Sequence, residues 1–370
     1  MIKSKPFTIK LSKSHSLHYE VIFVSDLFNP LKKTLLEELC TSKKILIVVD
    51  GKAHGIYGSK IENYFKSINC RYNIHKINAV ESSKTMESVL SICELAKNFQ
   101  LKRDSILIGI GGGITLDIIG FAAFMFRRKL AYIRIPTTLV GLVDAGIGVK
   151  VGVNFKNSKN LLGGYYQPLA VFNDQSFLNT LDRKDIRNGL FEILKMGIIK
   201  NKKLFNLIER YYKNFLDRKF NQNTDQIIYL SVLSMMKELE PNLYEHNLKR
   251  SVDFGHTFST YIEESSGYEI NHGEAVGIDM LISSRISYKR GILPKKDFLR
   301  MFDLINSIGF SKRYEFVSIK HFYSALNLVR DHRAGNLNLV LPSKIGSYIF
   351  TNKCTLEELN EAVTFYKNCL

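Results

Sequence analysis

Residues 106–113, ILIGIGGG, constrain the fold more than any other stretch of this 370-residue chain. An apolar, strand-like segment passes directly into three glycines, Gly111, Gly112 and Gly113, and then into a helical pattern over 115–126. A short apolar run closed by a turn signal reads as a strand buried on both faces, as in a parallel sheet. Glycines at its exit let the backbone approach a ligand closely, and the next helix offers free N–H groups at its N-terminus. The combination suits the pyrophosphate of a dinucleotide. The spacing departs from G-x-G-x-x-G, so a plain tight turn is the alternative.

Other segments repeat the rhythm. Residues 45–50 (ILIVVD) and 131–135 (AYIRI) are strand-like, and 84–97 keeps helical spacing, the alternation of a βαβ sheet. Asp50, at the end of its strand, suits a ribose hydroxyl or a solvated turn. Pro136-Thr137-Thr138-Leu139 follows another strand at the same sheet edge and brings two hydroxyls to it. From Asp185 onward helical patterns dominate until 337–341, which places a boundary at about 174–180. The expected fold is an α/β, Rossmann-like NAD-binding domain over 1–176 and a mainly α-helical metal- and substrate-binding domain over 177–370.

Charge narrows the partner. Fifty-two Lys and Arg against 35 Asp and Glu give +17, which fits a polyanion, a phosphorylated substrate or a Lys-rich surface. The basic residues are dispersed, with no finger, RNP-like or basic-helix pattern, so no nucleic-acid partner is expected. A hydrophobic content of 45% excludes wholesale disorder. Five cysteines without a CxxC pair read as reduced thiols. The basic start has no apolar core and no run reaches the ~18 residues of a membrane span, so a cytoplasmic protein with no membrane partner is expected.

The second half carries a possible metal site. Glu192 lies with Lys195 on a helical pattern over 185–200, His256 lies in Asp253-Phe-Gly-His-Thr-Phe-Ser, and His272 in Asn271-His-Gly-Glu-Ala. One carboxylate and two imidazoles make a three-ligand set with an open position, as in catalytic zinc sites. Taken singly, a Glu–Lys pair is usually a surface pair and a histidine usually a core or surface residue.

Six segments together resemble the sugar phosphate cyclases, the family of 3-dehydroquinate synthase: GIGGGITLDIIGF (109–121), RIPTTLVGLVDAGIG (134–148), KNLLGGYYQP (159–168), NGLFEILKMGIIK (188–200), VDFGHTFS (252–259) and NHGEAVGIDM (271–280). The resemblance implies a homodimer that uses NAD as a transient oxidant and a divalent metal, zinc or cobalt. A ring alcohol is oxidised, phosphate is eliminated, the hydride returns, and an aldol closure follows. It implies metal ligation by Glu192, His256 and His272, and phosphate contacts by Arg128, Lys150, Lys159 and Lys195. Asn160, Asp144 and Lys237 are implied at the substrate. Asp50, Glu81, Lys84, Gly112, Gly113, Asp117, Thr137 and Thr138 are implied at NAD, joined by Asp144, Lys150 and Lys159, and Asp174 near the cofactor or the domain junction.

Departures from the dehydroquinate synthase pattern bear on the substrate. That pattern reads Asn-Leu-Gly-His-Thr-Phe-Gly-His, whereas here Asp253 replaces Asn and Thr260 replaces the last His. His332 stands where a lysine is expected, and the cation a turn before the second ligand falls on Lys249 or Arg250. These changes resemble the branch that cyclises sedoheptulose 7-phosphate, the 2-epi-5-epi-valiolone synthases. Asp253 would repel a substrate carboxylate and accept a hydrogen bond from a neutral hydroxymethyl group. The alternatives are 3-dehydroquinate synthase, a cyclase forming 2-epi-valiolone or a deoxygadusol ring, and a metal-dependent alcohol dehydrogenase.

Overall fold

The computed structural model describes residues 17–156, 158–315 and 318–369, the side chains of Leu328 and His332 excepted. Elements of its first half, in chain order, are β1 (Glu20–Val24), α1 (Leu35–Cys40), β2 (Lys44–Asp50), α2 (Gly51–Ser67), β3 (Arg71–Ile77), α3 (Met86–Asn98), β4 (Ile106–Gly111), α4 (Gly113–Met125), β5 (Ala131–Pro136), β6 (Lys150–Phe155), β7 (Ser158–Tyr165) and β8 (Ala170–Asp174). Six strands form one sheet in the order β1-β8-β5-β4-β2-β3, and every pairing in it is parallel. Two apolar layers cover its faces. Ile45, Ile47, Val49, Ile108 and Ile110 point into one, and Leu46, Val48 and Leu107 into the other, the alternation a doubly covered sheet requires.

The strand order reverses between β2 and β4, because β3 pairs on one side of β2 and β4 on the other. In open parallel sheets such a switch point, at the carboxyl ends of the strands, is where a crevice opens. Asp50 ends β2 and Gly111 ends β4.

The second half continues with α5 (Arg183–Ile199), α6 (Lys202–Leu216), α7 (Gln222–Leu239), α8 (Ser259–Ser265), α9 (His272–Lys289), α10 (Lys295–Ile308), α11 (Ile319–His332), the hairpin β9 (Leu339–Lys344) and β10 (Ser347–Thr351), and α12 (Leu356–Cys369). One apolar core joins these helices, and Leu139, Leu142, Val143 and Ile147 belong to it although they precede the sheet's last strand. The turn after β5 is therefore part of the helical layer. Close approach has a sequence cause, because a Cβ on Gly189 of α5 would stand 2.3 Å from Leu139 Cγ.

Several expected boundaries move. The helix expected from residue 84 starts at Met86, because the Thr85 hydroxyl accepts from Ser88 N and caps it. Helix α4 starts at Gly113, two residues earlier than expected, so the last glycine of the run is helical. The antiparallel hairpin β6–β7 was not anticipated. Its glycines allow tight pairing, since a Cβ on Gly163 would meet Val151 O at 2.3 Å. All five cysteines are free. Among the described residues no helix is long and apolar enough to cross a membrane.

Candidate active site

Helix α5 is buried over most of its length, which carries Glu192 and Lys195 into the interior at 1% and 2% exposure. Two buried charges one turn apart are tolerable only as a pair. Lys195 Nζ lies 2.5 Å from Glu192 Oε2 and 3.7 Å from Asp144 Oδ1 on the turn after β5. Burial disfavours the ammonium, but Glu192 and Asp144 outweigh it and hold Lys195 protonated, its pKa above the usual lysine range.

A loop and a helix start deliver the imidazoles. Gly255 precedes His256 with φ +78°, and a Cβ there would meet Val276 Cγ1 at 2.8 Å, so this turn needs glycine. Phe254 O lies 3.2 Å from His256 Nδ1, which turns Nε2 toward Glu192 Oε1, 3.8 Å away. His272 opens α9, with Nε2 3.2 Å from the same Glu192 oxygen and Nδ1 3.0 Å from Glu263 Oε1. The ligand atoms of Glu192, His256 and His272 all lie within 4.8 Å of one another.

This donor set fits a divalent cation. Neither Glu192 oxygen, both buried, has a well-directed hydrogen-bond donor. Burial and then Lys195 pull His256 down to about 4. Burial also opposes charge on His272, yet Glu263 and Glu192 carry it up to about 10. One imidazole is thus neutral and the other holds a proton against Glu192, in the place a metal ion takes when three such ligands converge.

At the sheet's switch point a cavity of ≈ 310 Å³ is lined by Asp50, Gly112, Gly113, Thr137 and Thr138, with Asp185 and Asn188 of α5 opposite. Helix α4 has no side-chain cap at Gly112, so its first N–H groups are free for an anion. A Cβ on Gly112 would stand 3.2 Å from Thr138 Cγ2, a contact that the Thr138 side chain would have to yield to. Asp50 Oδ1 accepts from Lys52 N at the start of α2. The cavity thus fits a dinucleotide laid across the strand ends.

The hairpin β6–β7 makes polar contacts with both halves of the molecule. Lys84 Nζ is 2.6 Å from Asp117 Oδ2 and donates to Asn160 Oδ1 at 2.5 Å, while Asn154 donates to Glu81. Lys159 Nζ pairs with Glu263 Oε2 at 2.8 Å, and Lys150 Nζ with Glu245 Oε1 at 2.9 Å. Glu245 also pairs with Arg250. Arg250 in turn lies 2.8 Å from Asp253 Oδ1, and Arg333 lies 3.2 Å from Asp253 Oδ2.

Several expectations need correction. Arg128 is exposed just beyond α4, about 20 Å from the helix start by helical rise. Lys237 is exposed on the last turn of α7 and forms no ion pair among the described residues. Asp174 ends β8 and accepts from Leu27 N at 2.7 Å and Ser176 N at 2.9 Å, at the expected boundary between the two halves. Of the two candidate cations before His256, Arg250 faces Asp253, while Lys249 sits over the Phe350 ring. Asp253 is not a bare charge, because two guanidiniums neutralise it and weaken the repulsion argument. Thr260 is exposed on α8. His332 ends α11, and its side chain lies outside the described residues. Sequence reasoning missed Glu263, Glu245 and Arg333. The one usable signal was that Glu263 is an acidic residue between two candidate ligands, next to the apolar Ile262.

Known proteins resemble this chain in sequence and fold. The family profile of the 3-dehydroquinate synthase N-terminal part matches residues 74–188, and that of its C-terminal part matches 189–332. A 2-epi-5-epi-valiolone synthase from Actinomyces sp. is 36% identical over 359 residues, covering 94% of each chain. A 3-dehydroquinate synthase from Thermoanaerobacter sp. is 36% identical over 329 residues, covering 89% of this chain and 92% of that one. The solved structure of the 2-epi-5-epi-valiolone synthase ValA from Streptomyces hygroscopicus subsp. jinggangensis, with NAD+ and Zn2+ bound, superposes with a TM-score of 0.93 at 34% identity, over 97% of this chain and 99% of that one.

Proposed function

The chain belongs to the 3-dehydroquinate synthase family of sugar phosphate cyclases, and on that premise we propose that it converts sedoheptulose 7-phosphate to 2-epi-5-epi-valiolone and phosphate, as an NAD- and metal-dependent carbon–oxygen lyase. The observation that carries the reading is the convergence of Glu192, His256 and His272 beside Lys195 and Asp144, with the uncapped α4 N-terminus at a cavity across the cleft. Relatives named for this product align over nearly the whole chain.

Glu192, His256 and His272 would hold the metal ion, which when bound polarises a substrate oxygen as a Lewis acid. Gly112, Gly113, Asp50, Thr137 and Thr138 would hold NAD, which takes up and gives back one hydride, so no net redox results. The other roles fall to this chain's side chains. Lys195, kept protonated between Glu192 and Asp144, can hold or release a proton at Nζ next to the triad. Asp144, part exposed, is an acceptor for a substrate hydroxyl.

Lys150 and Lys159 reach the cleft on the hairpin, and each is already paired with a carboxylate, Glu245 or Glu263. A phosphate arriving there exchanges one anionic partner for another, which lowers the cost of desolvating the ammonium groups. Asn160 keeps its carboxamide nitrogen as a donor, its oxygen being taken by Lys84. A homodimer belongs to the same reading. It is supported by the exposed aromatic pair Phe23 and Tyr229 beside the outer strand β1, and an elution mass tests it.

The decisive experiment incubates the protein with NAD+, zinc and sedoheptulose 7-phosphate, beside the acidic seven-carbon precursor of 3-dehydroquinate. Stoichiometric phosphate release without growing absorbance near ~340 nm, and the valiolone ring by NMR, are expected. Accumulating NADH points to a dehydrogenase. Turnover of the acid alone makes the chain a dehydroquinate synthase.

A further inference from the structure

Glu263, on α8, is 6% exposed and divides its carboxylate between the two halves of the molecule. Oε1 lies 3.0 Å from His272 Nδ1, and Oε2 lies 2.8 Å from Lys159 Nζ on β7. The Tyr268 ring packs 4.7 Å from the same ammonium and shields it from water. One residue beyond Lys159, Asn160 accepts from Lys84, which pairs with Asp117 of α4. Polar contacts, relayed by the backbone between Lys159 and Asn160, therefore link His272 to α4, the helix whose N-terminus opens on the cavity.

Each arm has a physical effect. A carboxylate on Nδ1 of a ligating histidine fixes the tautomer, keeps Nε2 aimed inward and makes the ring a better donor. Here Nε2 does point inward, 3.2 Å from Glu192 Oε1. The ammonium on the other oxygen restrains that carboxylate from rotating away from the ring. If the hairpin lifts, Glu263 loses this restraint, and the hold on His272 loosens.

We propose that Glu263 is a positioning residue that couples metal affinity at His272 to the seating of the β6–β7 hairpin through Lys159, so that metal and dinucleotide reinforce each other's binding. The inference rests on the reading of Glu192, His256 and His272 as a metal site. Coupling between two binding events is reciprocal, so NAD+ tightens the metal by the factor by which the metal tightens NAD+.

Zinc affinity of the full-length protein, measured against a competing chelator with and without saturating NAD+, tests this in wild type, Glu263→Gln and Lys159→Met. The visible absorption of the cobalt-loaded forms reports ligand geometry. Glu263→Gln keeps an acceptor for His272 but turns its amide against the ammonium, and weakens zinc about 10-fold or more. Lys159→Met contributes no ligand yet loses the rise in zinc affinity, about 5-fold or more, that NAD+ gives wild type. Lys159 lies on a half-exposed hairpin, so this variant carries the test if Glu263→Gln does not fold. Zinc affinities and cobalt spectra equal to wild type in both variants overturn the coupling, as does a wild type indifferent to NAD+. A wild type that binds no zinc overturns the metal-site reading itself, a different result from either.

Discussion

The Lys195 ammonium lies 2.5 Å from Glu192 Oε2, one turn along the same buried helix, so the carboxylate that faces both imidazoles is neutralised within its own element. Burial raises the pKa of Glu192, but Lys195 and the two histidines hold it well below the usual carboxylate range. Removing the ammonium strands a buried charge, at a cost of about 3–5 kcal/mol. Lys195→Met should therefore lower the melting temperature of the metal-free protein, and zinc should recover more of the loss than it adds to wild type. Turnover should fall at least about 100-fold, since the proton-holding group beside the triad is gone. Melting curves with and without zinc check the first expectation, and metal-free forms that melt alike refute it.

Asp253 is gripped by Arg250 and Arg333, so its effect on specificity acts through them. Asp253→Asn leaves two guanidiniums with one fewer counter-charge and makes the cleft more attractive to a carboxylate. A lost charged acceptor is worth about 1.5–3 kcal/mol, so kcat/KM for the heptulose phosphate should fall roughly 10- to 100-fold. The acidic seven-carbon sugar should gain affinity at the same time. Kinetics on both substrates decide it, and an unchanged preference removes Asp253 from the specificity argument.

The apolar strands β2, β4 and β5 were legible because a strand covered on both faces is written as an unbroken hydrophobic run. Strand β3, at the sheet's edge, alternates exposed and part-buried residues in RYNIHKI, and the hairpin β6–β7 mixes lysines with glycines, so neither carries that signature. The three ligand types could be named from sequence because carboxylate and imidazole are the chemistry metal ions demand. Glu263 and Arg333 could not. In sequence each is an ordinary charge among others, and only burial beside a specific partner gives it a task. Arg128, a cation assigned by motif, lies at the opposite end of α4 from the glycine run.

Asp50 closes β2, caps α2 weakly through a 3.4 Å contact to Lys52 N and lines the cavity at the switch point. Its carboxylate is thus free to accept from a ribose hydroxyl. Asp50→Ala should raise the NAD+ dissociation constant about 10-fold, in line with the loss of one charged hydrogen bond. The lost cap should cost only about 1 kcal/mol of stability. Calorimetric titration beside melting curves separates the two, and unchanged NAD+ affinity would place the adenosine ribose elsewhere.

Asp279, on α9, is fully buried and accepts from three successive backbone amides, Thr257, Phe258 and Ser259, at 2.8, 2.5 and 3.1 Å, with Ser283 Oγ on its other oxygen. It thereby fixes the segment leaving His256 without touching the triad. Burial outweighs these hydrogen bonds and raises its pKa from 3.8 to about 6. A carboxyl whose folded pKa lies above its unfolded value binds its proton more tightly when folded. Its stabilising contribution is complete below pH ~4 and disappears as the pH rises through about 6. The full span corresponds to roughly 3 kcal/mol. Asp279→Asn keeps an oxygen for the three amides and cannot ionise, so its stability relative to wild type should climb as pH rises from about 4.5 to about 7.5. Denaturant unfolding of both proteins across that interval measures it. A difference independent of pH would mean that the three amides hold Asp279 ionised throughout.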